Sequence, residues 1–220
     1  MLKLGNLKPL LLTVAILIGL AVQGSRAHAA GTEVLTVAGG CFWCVEADFE
    51  KVKGVREAIS GYTGGKSANP TYKQVSRGGI GHYEAVQIRF DPEIVSREAL
   101  LGMFFRSVDP TDADGQFCDR GDSYRTAIFV SNPAERALSE AARAEAQTAL
   151  GQKIVTPILT AGKFYKAEAY HQDYYKGSNI VLTRFGPVTQ SKAYKKYRAA
   201  CGRDKLVKQL WGKAAPFTGG

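Results

Sequence analysis

The chain has 220 residues, a formal net charge of +9 and hydrophobic residues at 45% of its positions. This length and composition exclude a low-complexity or intrinsically disordered chain and favour an ordinary globular protein. The positive surplus permits attraction to acidic partners or membrane surfaces. The sequence contains no dense tract of lysine and arginine and no nucleic-acid-binding motif, so we expect no nucleic-acid partner.

The N-terminal segment 1–29 has the features of a secretory signal peptide. Lys3 and Lys8 form a basic start, residues 10–22 are almost entirely apolar, and Ala27-His28-Ala29 is a small-x-small cleavage signal. The apolar run is shorter than the roughly 20 residues that a membrane-spanning helix needs. An uncleaved membrane anchor is the competing interpretation, and it is the only membrane contact that the sequence indicates.

Once this leader is removed, residues 30–220 are expected to form one exported domain, and we place the protein in the periplasm. This part contains all four cysteines, which are Cys41, Cys44, Cys118 and Cys201. A domain of this size needs no disulfide framework. One Cys-x-x-Cys without a second pair is weak evidence for zinc, so no metal is expected. Redox chemistry is the better interpretation of the cysteines.

The first element of this domain leads into a cysteine-containing turn. A strand-like run from Val34 to Ala38 precedes Gly39-Gly40-Cys41-Phe42-Trp43-Cys44-Val45-Glu46, and apolar residues at helical spacing predict a helix from Phe42 to Lys53. The glycines permit a tight turn, and the helix would present its unpaired N–H groups and positive dipole end to Cys41. We therefore expect Cys41 to have a lowered pKa and to be a nucleophile.

The remaining segments alternate between strand and helix patterns. The predicted strands are Val55 to Tyr62, Tyr83 to Phe90, Arg125 to Val130 and Ile154 to Thr160. The predicted helices start after the N-cap candidates Ser96 and Asn132, the second running from Pro133 to Leu150. Segments 61–72 and 109–122 are predicted loops. After Tyr165 the periodicity is weak, which predicts a long, partly coiled C-terminal segment. The alternation predicts an α+β two-layer sandwich with a mixed sheet.

Several sequence blocks occur in a fixed order along this domain. They are Gly40-Cys41-Phe42-Trp43, Gly61-Tyr62-Thr63-Gly64-Gly65, Asn69-Pro70-Thr71-Tyr72, Gly81-His82-Tyr83-Glu84-Ala85-Val86, Asp119-Arg120-Gly121-Asp122-Ser123-Tyr124-Arg125 and Ala167-Glu168-Ala169-Tyr170-His171-Gln172. Together they resemble the A-type peptide methionine sulfoxide reductases over about Val34 to Tyr175. The resemblance implies a ferredoxin-like sandwich with a long C-terminal coil. It also implies reduction of free and protein-bound methionine sulfoxide, specific for the S epimer at sulfur.

The resemblance assigns the two central chemical roles. Cys41 matches the nucleophile of the family, and Glu84 matches its proton donor. A sulfoxide is a poor electrophile until its oxygen is protonated or strongly hydrogen-bonded, so a proton donor is needed beside the thiol. Within its predicted strand, Glu84 shares a face with Val86 and Ile88. A carboxyl on that apolar face should have a raised pKa and stay protonated.

Five further residues match family positions around the substrate. The resemblance gives Tyr72 and Tyr124 the task of binding the sulfoxide oxygen, and Asp119 that of ordering the site. Phe42 and Trp43 match the aromatic pocket that receives the S-methyl group. Each aromatic residue has a plainer interpretation as a packing residue, and Asp119 as a loop-capping aspartate.

The resemblance also implies that Cys41 becomes a sulfenic acid, that a second thiol converts it to a disulfide, and that an external dithiol reductant such as thioredoxin reopens that bond. No bound cofactor is expected. Cys201, Cys44 and Cys118, in that order, are the candidates for the second thiol. Cys201 resembles the C-terminal resolving cysteines of many members, whereas Cys44 is one helical turn from Cys41.

A second class of enzyme fits the cysteines alone. An extracytoplasmic thiol–disulfide oxidoreductase would use Cys41 and Cys44 directly, as a Cys-x-x-Cys pair does. This alternative leaves Glu84 and the tyrosine blocks without a task. The reductase hypothesis, with oxidised proteins and free methionine sulfoxide as substrates, accounts for both.

Overall fold

The computed structural model describes residues 31–218. The predicted leader lies outside the described residues. The strands are β1 (Glu33–Gly39), β2 (Val55–Thr63), β3 (Tyr83–Phe90), β4 (Gly115–Gln116), β5 (Asp119–Arg120), β6 (Thr126–Val130), β7 (Ile158–Thr160), β8 (Tyr165–Lys166), β9 (Ile180–Thr183) and β10 (Gly186–Thr189). The α-helices are α1 (Phe42–Phe49), α2 (Tyr72–Arg77), α3 (Arg97–Phe105), α4 (Pro133–Leu150), α5 (Gln190–Ala200) and α6 (Arg203–Trp211). Within 31–218, no helix has both the length and the hydropathy to cross a membrane.

One six-stranded sheet organises these elements. Its strand order is β7-β6-β1-β3-β2-β8. The neighbouring strands are antiparallel except for β6 and β7, which are parallel. The predicted α+β class and the mixed sheet are therefore confirmed.

The alternation of side chains along the strands gives the sheet two different faces. On one face, Leu35 and Val37 of β1 are buried in a single large cluster with Val86 and Ile88 of β3. Apolar residues of α1, α3 and α4 complete this cluster. On the other face, Phe129 belongs to a smaller cluster partly covered by the segment around β7 and β8. Most of the hydrophobic stabilisation therefore lies on the face that carries the helices.

The predicted caps explain where two helices begin. The Ser96 hydroxyl accepts a hydrogen bond from the backbone N–H of Ala99 at 3.2 Å, and the Asn132 side chain accepts one from Glu135 at 2.9 Å. Each cap satisfies an N–H group that has no partner within its helix. The two helices predicted after Ser96 and Asn132 are confirmed as α3 and α4, and α4 has the predicted bounds.

Three local predictions differ from the structure. Helix α1 ends at Phe49, and the chain continues in turns. The Val52 N–H donates to the Phe49 carbonyl and the Val55 N–H to the Val52 carbonyl, each at 3.0 Å, in place of the helical pattern. The predicted loop 61–72 instead leads into α2, which begins with a capping box between Thr71 and Gln74. Strand β7 is also shorter than predicted: before Ile158, the backbone N–H of Val155 donates to the carbonyl of Pro110 at 2.8 Å, outside the sheet.

The prediction of a long C-terminal coil is wrong. Residues 180–211 form the β9–β10 hairpin and the helices α5 and α6. These helices are tied to α1 by charge, because Arg198 of α5 donates a 2.8 Å hydrogen bond to the buried carboxylate of Asp48. Lysines and tyrosines cover these helices, so the apolar period that marks a core-facing helix is weak in the sequence.

Candidate active site

A cavity of about 540 Å³ opens at the start of α1. The cavity lining contains every residue that the sequence singled out, namely Cys41, Phe42, Trp43, Cys44, Tyr72, Glu84, Cys118, Asp119, Tyr124 and Cys201. These residues come from α1, α2, β3, the 115–124 segment and the end of α5. Tertiary structure thus brings together side chains that are far apart in the sequence.

The turn before α1 requires glycine at position 40. Gly40 has a φ of 79°, and a Cβ atom there would lie 2.6 Å from the Cβ of Gln116. Gln116 is fully buried and exchanges hydrogen bonds with the backbone of Asp109, donating to its carbonyl at 2.7 Å and accepting from its N–H at 2.9 Å. The close approach therefore fixes the loop of Cys118 and Asp119 against the N-terminus of α1.

Cys41 is the N-cap residue of α1, and its thiol donates a hydrogen bond to the sulfur of Cys44. That hydrogen bond, burial, and the negative charges of Cys44 and Asp119 raise the pKa of Cys41 above its ordinary value, and the Glu84 carboxyl acts in the same direction. The predicted lowering of the Cys41 pKa is therefore wrong. The helix N-terminus is in place, but the surrounding sulfur and carboxyl groups outweigh it.

Cys44 is the more acidic thiol of the pair. The hydrogen bond from Cys41 lowers the pKa of Cys44, and the charges of Arg203 and Arg198 add to this effect. Both arginines are almost completely buried beside Asp48. The surroundings therefore favour the thiolate form of Cys44, next to the buried cations, more than that of Cys41.

Glu84 lies on β3 with only 2% of its surface exposed. Its Oε2 atom accepts a 3.0 Å hydrogen bond from the backbone N–H of Phe42. Burial raises the pKa of Glu84 to about 8, and the negative charge of Asp119 acts in the same direction. Glu84 is therefore mostly protonated at neutral pH, and this agrees with the expectation drawn from its strand face.

Tyr72 and Tyr124 face each other in the cavity, and their hydroxyls are hydrogen-bonded. Burial and the nearby Glu84 carboxyl raise the pKa of both, so each keeps its proton as a hydrogen-bond donor. Tyr72 is the first residue of α2, and its backbone N–H donates to Glu168 at 2.9 Å. The same carboxylate accepts a hydrogen bond from the hydroxyl of Tyr62 at 2.8 Å.

Aromatic rings form one wall of the cavity. The ring of Phe42 is stacked against Tyr72 at 6.4 Å, and the indole of Trp43 is stacked on Tyr174 at 3.8 Å. The indole N–H of Trp43 donates to Nδ1 of His171 at 3.2 Å. Burial lowers the pKa of His171 to about 4, so this imidazole is neutral and the wall carries no charge.

A disulfide joins Cys118 to Cys201 at one side of the cavity, with their Cα atoms 4.9 Å apart. Cys118 is exposed, whereas Cys201 is partly buried as the C-cap of α5. Cys201 therefore lies at the end of a helix. Cys41 and Cys44 are free thiols, so the structure pairs Cys201 with Cys118 and leaves Cys44 beside Cys41.

Sequence reasoning missed the C-terminal contribution to this cavity. The additional lining residues are Phe117, Tyr174, Leu182, Thr183, Arg184, Tyr194, Tyr197, Arg198 and Arg203. The available signal was the density of tyrosine and arginine after residue 170. These residue types are common at interfaces and rims, so composition alone did not assign them to a site.

These features define a class of protein. An α+β sheet positions a thiol pair, a protonated buried carboxyl and two tyrosine hydroxyls around one cavity, and a second cysteine pair borders the same space. This combination is that of a thiol-dependent redox enzyme that supplies a proton to its substrate.

Comparisons with known proteins identify the family. A family model described as peptide methionine sulfoxide reductase matches residues 33–215. Peptide methionine sulfoxide reductase MsrA 2 of Rhizobium meliloti (strain 1021) is 49% identical over 189 residues, covering 86% of this chain and 88% of that protein. MsrA 2 of Caulobacter vibrioides is 46% identical over 205 residues, covering 91% and 98%.

A solved structure agrees with these relatives. The crystal structure of Mxr1 from Saccharomyces cerevisiae in reduced form has a TM-score of 0.63 and 31% identity, covering 68% of this chain and 87% of that one. The chain therefore belongs to the peptide methionine sulfoxide reductase family.

Proposed function

We propose that this member of the family reduces the S epimer of methionine sulfoxide with Cys41 as the nucleophile. The observation that carries the proposal is the buried Glu84 carboxyl, held by the Phe42 N–H in the same cavity as Cys41. A sulfoxide oxygen needs a proton as its sulfur is attacked, and a carboxyl with a pKa near 8 holds one at neutral pH. Phe42 and Trp43 offer the methyl group a dry aromatic wall.

Residues of this cavity supply and accept the protons of the first step. The Cys41 sulfur forms a bond to the sulfoxide sulfur. The oxygen then moves from that sulfur to the Cys41 sulfur as the new S–S bond breaks, which leaves a sulfenic acid on Cys41 and the thioether of methionine. Cys44, which accepts the hydrogen bond of the Cys41 thiol, takes its proton. Glu84 protonates the transferred oxygen, and methionine leaves. Tyr72 and Tyr124 donate hydrogen bonds to the oxygen, and Asp119 keeps Glu84 protonated by like-charge repulsion.

We propose that Cys44 resolves the sulfenic acid. Its backbone N–H donates to the Cys41 carbonyl at 3.0 Å, which places the two residues one helical turn apart, and their sulfurs are already hydrogen-bonded. Attack of the Cys44 sulfur on the sulfenic sulfur of Cys41 forms a disulfide and releases water. Cys201, ranked first from the sequence, is engaged with Cys118 in this structure.

The two cysteine pairs are proposed to act in sequence. The reduced pair of Cys118 and Cys201 would exchange with the Cys41–Cys44 disulfide, which restores both inner thiols and oxidises the outer pair. The exposure of Cys118 supports this order, because an external reductant must reach a sulfur to attack it. An external dithiol, such as a thioredoxin-like protein, would then reduce the Cys118–Cys201 bond and complete the cycle.

We also propose that the fold is ferredoxin-like. The four longest strands of the sheet stand in the order β6-β1-β3-β2, and α1 and α3 join β1 to β2 and β3 to β6. This gives the βαββαβ succession of ferredoxin-like folds. The hairpin β9–β10 and helices α5 and α6 would then be additions to that unit.

Export to the periplasm, where the enzyme would repair oxidised proteins, is a further part of the proposal. Its support is the leader pattern of a basic start, an apolar run and a small-x-small signal. Fractionation of cells that express the full chain tests it. Recovery in the periplasmic fraction of a chain that begins at Ala30 is expected, and recovery of an unprocessed chain in the cytoplasm would contradict export.

The activity is tested with the separated epimers of N-acetyl-methionine sulfoxide and dithiothreitol as the reductant. We expect multiple turnovers of the S epimer and none of the R epimer. Absence of turnover with the S epimer would refute the proposed function. Starting from fully reduced protein, one equivalent of the S epimer followed by mass mapping should show Cys41–Cys44 first and Cys118–Cys201 later.

A further inference from the structure

The β9–β10 hairpin presents two large apolar side chains to solvent. Ile180 is 76% exposed and Leu182 is 87% exposed. Val181, which lies between them on β9, faces inward and packs against the cluster that contains Tyr194. Strand β9 therefore packs on the protein through its inner face. Its outer face exposes apolar side chains to water, which is unfavourable in free energy unless a partner covers them.

The same strand has an unpaired edge. Among residues 31–218, β9 pairs with β10 alone, in the register Leu182 opposite Pro187 and Thr183 opposite Gly186. The Thr183–Gly186 pair closes the hairpin turn and is a hydrogen-bonded pair. From there, non-hydrogen-bonded and hydrogen-bonded pairs alternate along the two strands. Pro187 has no N–H to donate, which fits a non-hydrogen-bonded pair. The backbone N–H and C=O groups of Leu182 and Ile180 therefore point away from β10, toward the free edge.

This edge is continuous with the active-site cavity. Leu182, Thr183 and Arg184 line the cavity that contains Cys41. Burial raises the pKa of Asp119, and Arg184 is near enough for its positive charge to oppose that rise. A chain lying along β9 would therefore run directly into the cavity.

We propose that β9 is the docking strand for the oxidised protein substrate, which binds as an extended segment added to the free edge beside Ile180 and Leu182. The inference rests on the proposed function, because it places the methionine sulfoxide of that segment at Cys41. Main-chain hydrogen bonds of the added strand give affinity without a sequence requirement, and alternate apolar side chains contact Ile180 and Leu182.

The chemistry of this surface fits an unfolded segment of a protein. An added strand satisfies the N–H and C=O groups of the edge, whereas free methionine sulfoxide reaches only the cavity. The surface therefore selects extended protein segments over the free amino acid.

The first test compares substrates in the full chain, with dithiothreitol as the reductant. The double variant Ile180→Ser, Leu182→Ser removes the apolar contacts at exposed positions. We expect the ratio of kcat/KM for an oxidised peptide to kcat/KM for free methionine sulfoxide to fall about tenfold, mainly through KM of the peptide. The matched control is Ile94→Ser, at an apolar residue that is 54% exposed and does not line the cavity. The control should leave the ratio unchanged.

A second test probes the edge hydrogen bonds through the substrate, so it does not depend on how a variant folds. A set of peptides, each containing one methionine sulfoxide, carries a single N-methyl group at successive positions beside that residue. Strand addition requires KM to rise at every second position, because alternate N–H groups of an added strand face β9. Equal effects at all positions would overturn the proposal.

The outcomes separate this proposal from its alternatives. If native protein fails to reduce free S-sulfoxide, the proposed function itself is wrong. If native protein reduces it but the double variant keeps the native substrate ratio, the docking strand is refuted. If the double variant loses activity only when a thioredoxin-like protein replaces dithiothreitol as the reductant, β9 would be assigned to binding that reductant. A native dimer that the double variant converts to a monomer would assign the surface to a second copy. Either result would overturn the proposal.

Discussion

The backbone N–H of Phe42 donates a 3.0 Å hydrogen bond to Oε2 of Glu84, a residue 42 positions further along the chain. The N–H belongs to the first residue of α1, where no partner exists within the helix. The carboxyl therefore satisfies a helix terminus while it lies in the cavity beside Cys41. One contact thus positions the acid relative to the thiol.

Replacement of the nucleophile gives the first prediction. Cys41→Ser should abolish reduction of methionine sulfoxide even with excess dithiothreitol, because a serine hydroxyl does not attack the sulfur and Cys44 is only 7% exposed. Methionine released after mixing with one equivalent of S-sulfoxide measures the effect. Release of one methionine per chain by the variant would show that another thiol performs the attack.

Replacement of the proton donor Glu84 gives the second prediction. Glu84→Gln keeps a polar side chain of similar size but removes the transferable proton, so the rate of methionine formation in a single turnover should fall about 10²- to 10⁴-fold. The control is Glu145→Gln, at an exposed carboxyl paired with Arg106 on the protein surface. A loss of less than threefold in the Glu84 variant would rule out the role of proton donor.

The raised pKa of Glu84 also makes the stability of the fold depend on pH. The pKa is about 8 in the native state and about 4.3 in an unfolded chain. The native state therefore holds the proton more tightly, and its stability falls as pH rises from about 4.3 through about 8. Thermal unfolding at pH 5 and pH 8 should show a smaller decrease for Glu84→Gln than for the native protein. Glu46, whose pKa burial raises to about 7, leaves a residual decrease in both. Identical decreases would contradict the assignment.

The outer cysteine pair gives a prediction about recycling. Cys201→Ser should still form one methionine per chain and then accumulate the Cys41–Cys44 disulfide, because the exchange partner is lost. Turnover with a thioredoxin-like reductant should slow, and mass mapping should identify the accumulated bond. Cys118→Ser should behave in the same way. Native recycling rates in both variants would show that the reductant reaches the inner pair directly.

The turn before α1 gives a prediction about folding energy. Gly40→Ala places a Cβ against Gln116 at a positive φ, so the free energy of unfolding should fall by about 1–3 kcal/mol. Urea denaturation measures this loss. Gly162→Ala is the matched control, because Gly162 has open space around its Cβ position and no positive φ. Equal stability of both variants would mean that the turn relaxes without strain.

Local patterns in the sequence were sufficient for much of the fold. Some features depend on interactions within a few residues, so the sequence predicts them directly. They are the alternation in β3, the caps at Ser96 and Asn132, and the bounds of α4. The face of Glu84 followed from the same alternation. The C-terminal helices could not be predicted from the sequence, because they are held by the ion pair of Arg198 with Asp48, which is distant in the chain.

The sequence by itself predicted the cysteines, the carboxyl groups and the aromatic residues of the N-terminal motifs that line the cavity and, through the order of those motifs, the family. Tertiary structure decided how their charges are distributed and which cysteines meet. A helix N-terminus beside Cys41 predicts a more acidic thiol, but the hydrogen bond to Cys44 and burial raise the pKa of Cys41. The same hydrogen bond and the charges of Arg203 and Arg198 lower the pKa of Cys44. Electrostatic energy depends on distances through space, which spacing along the chain does not specify.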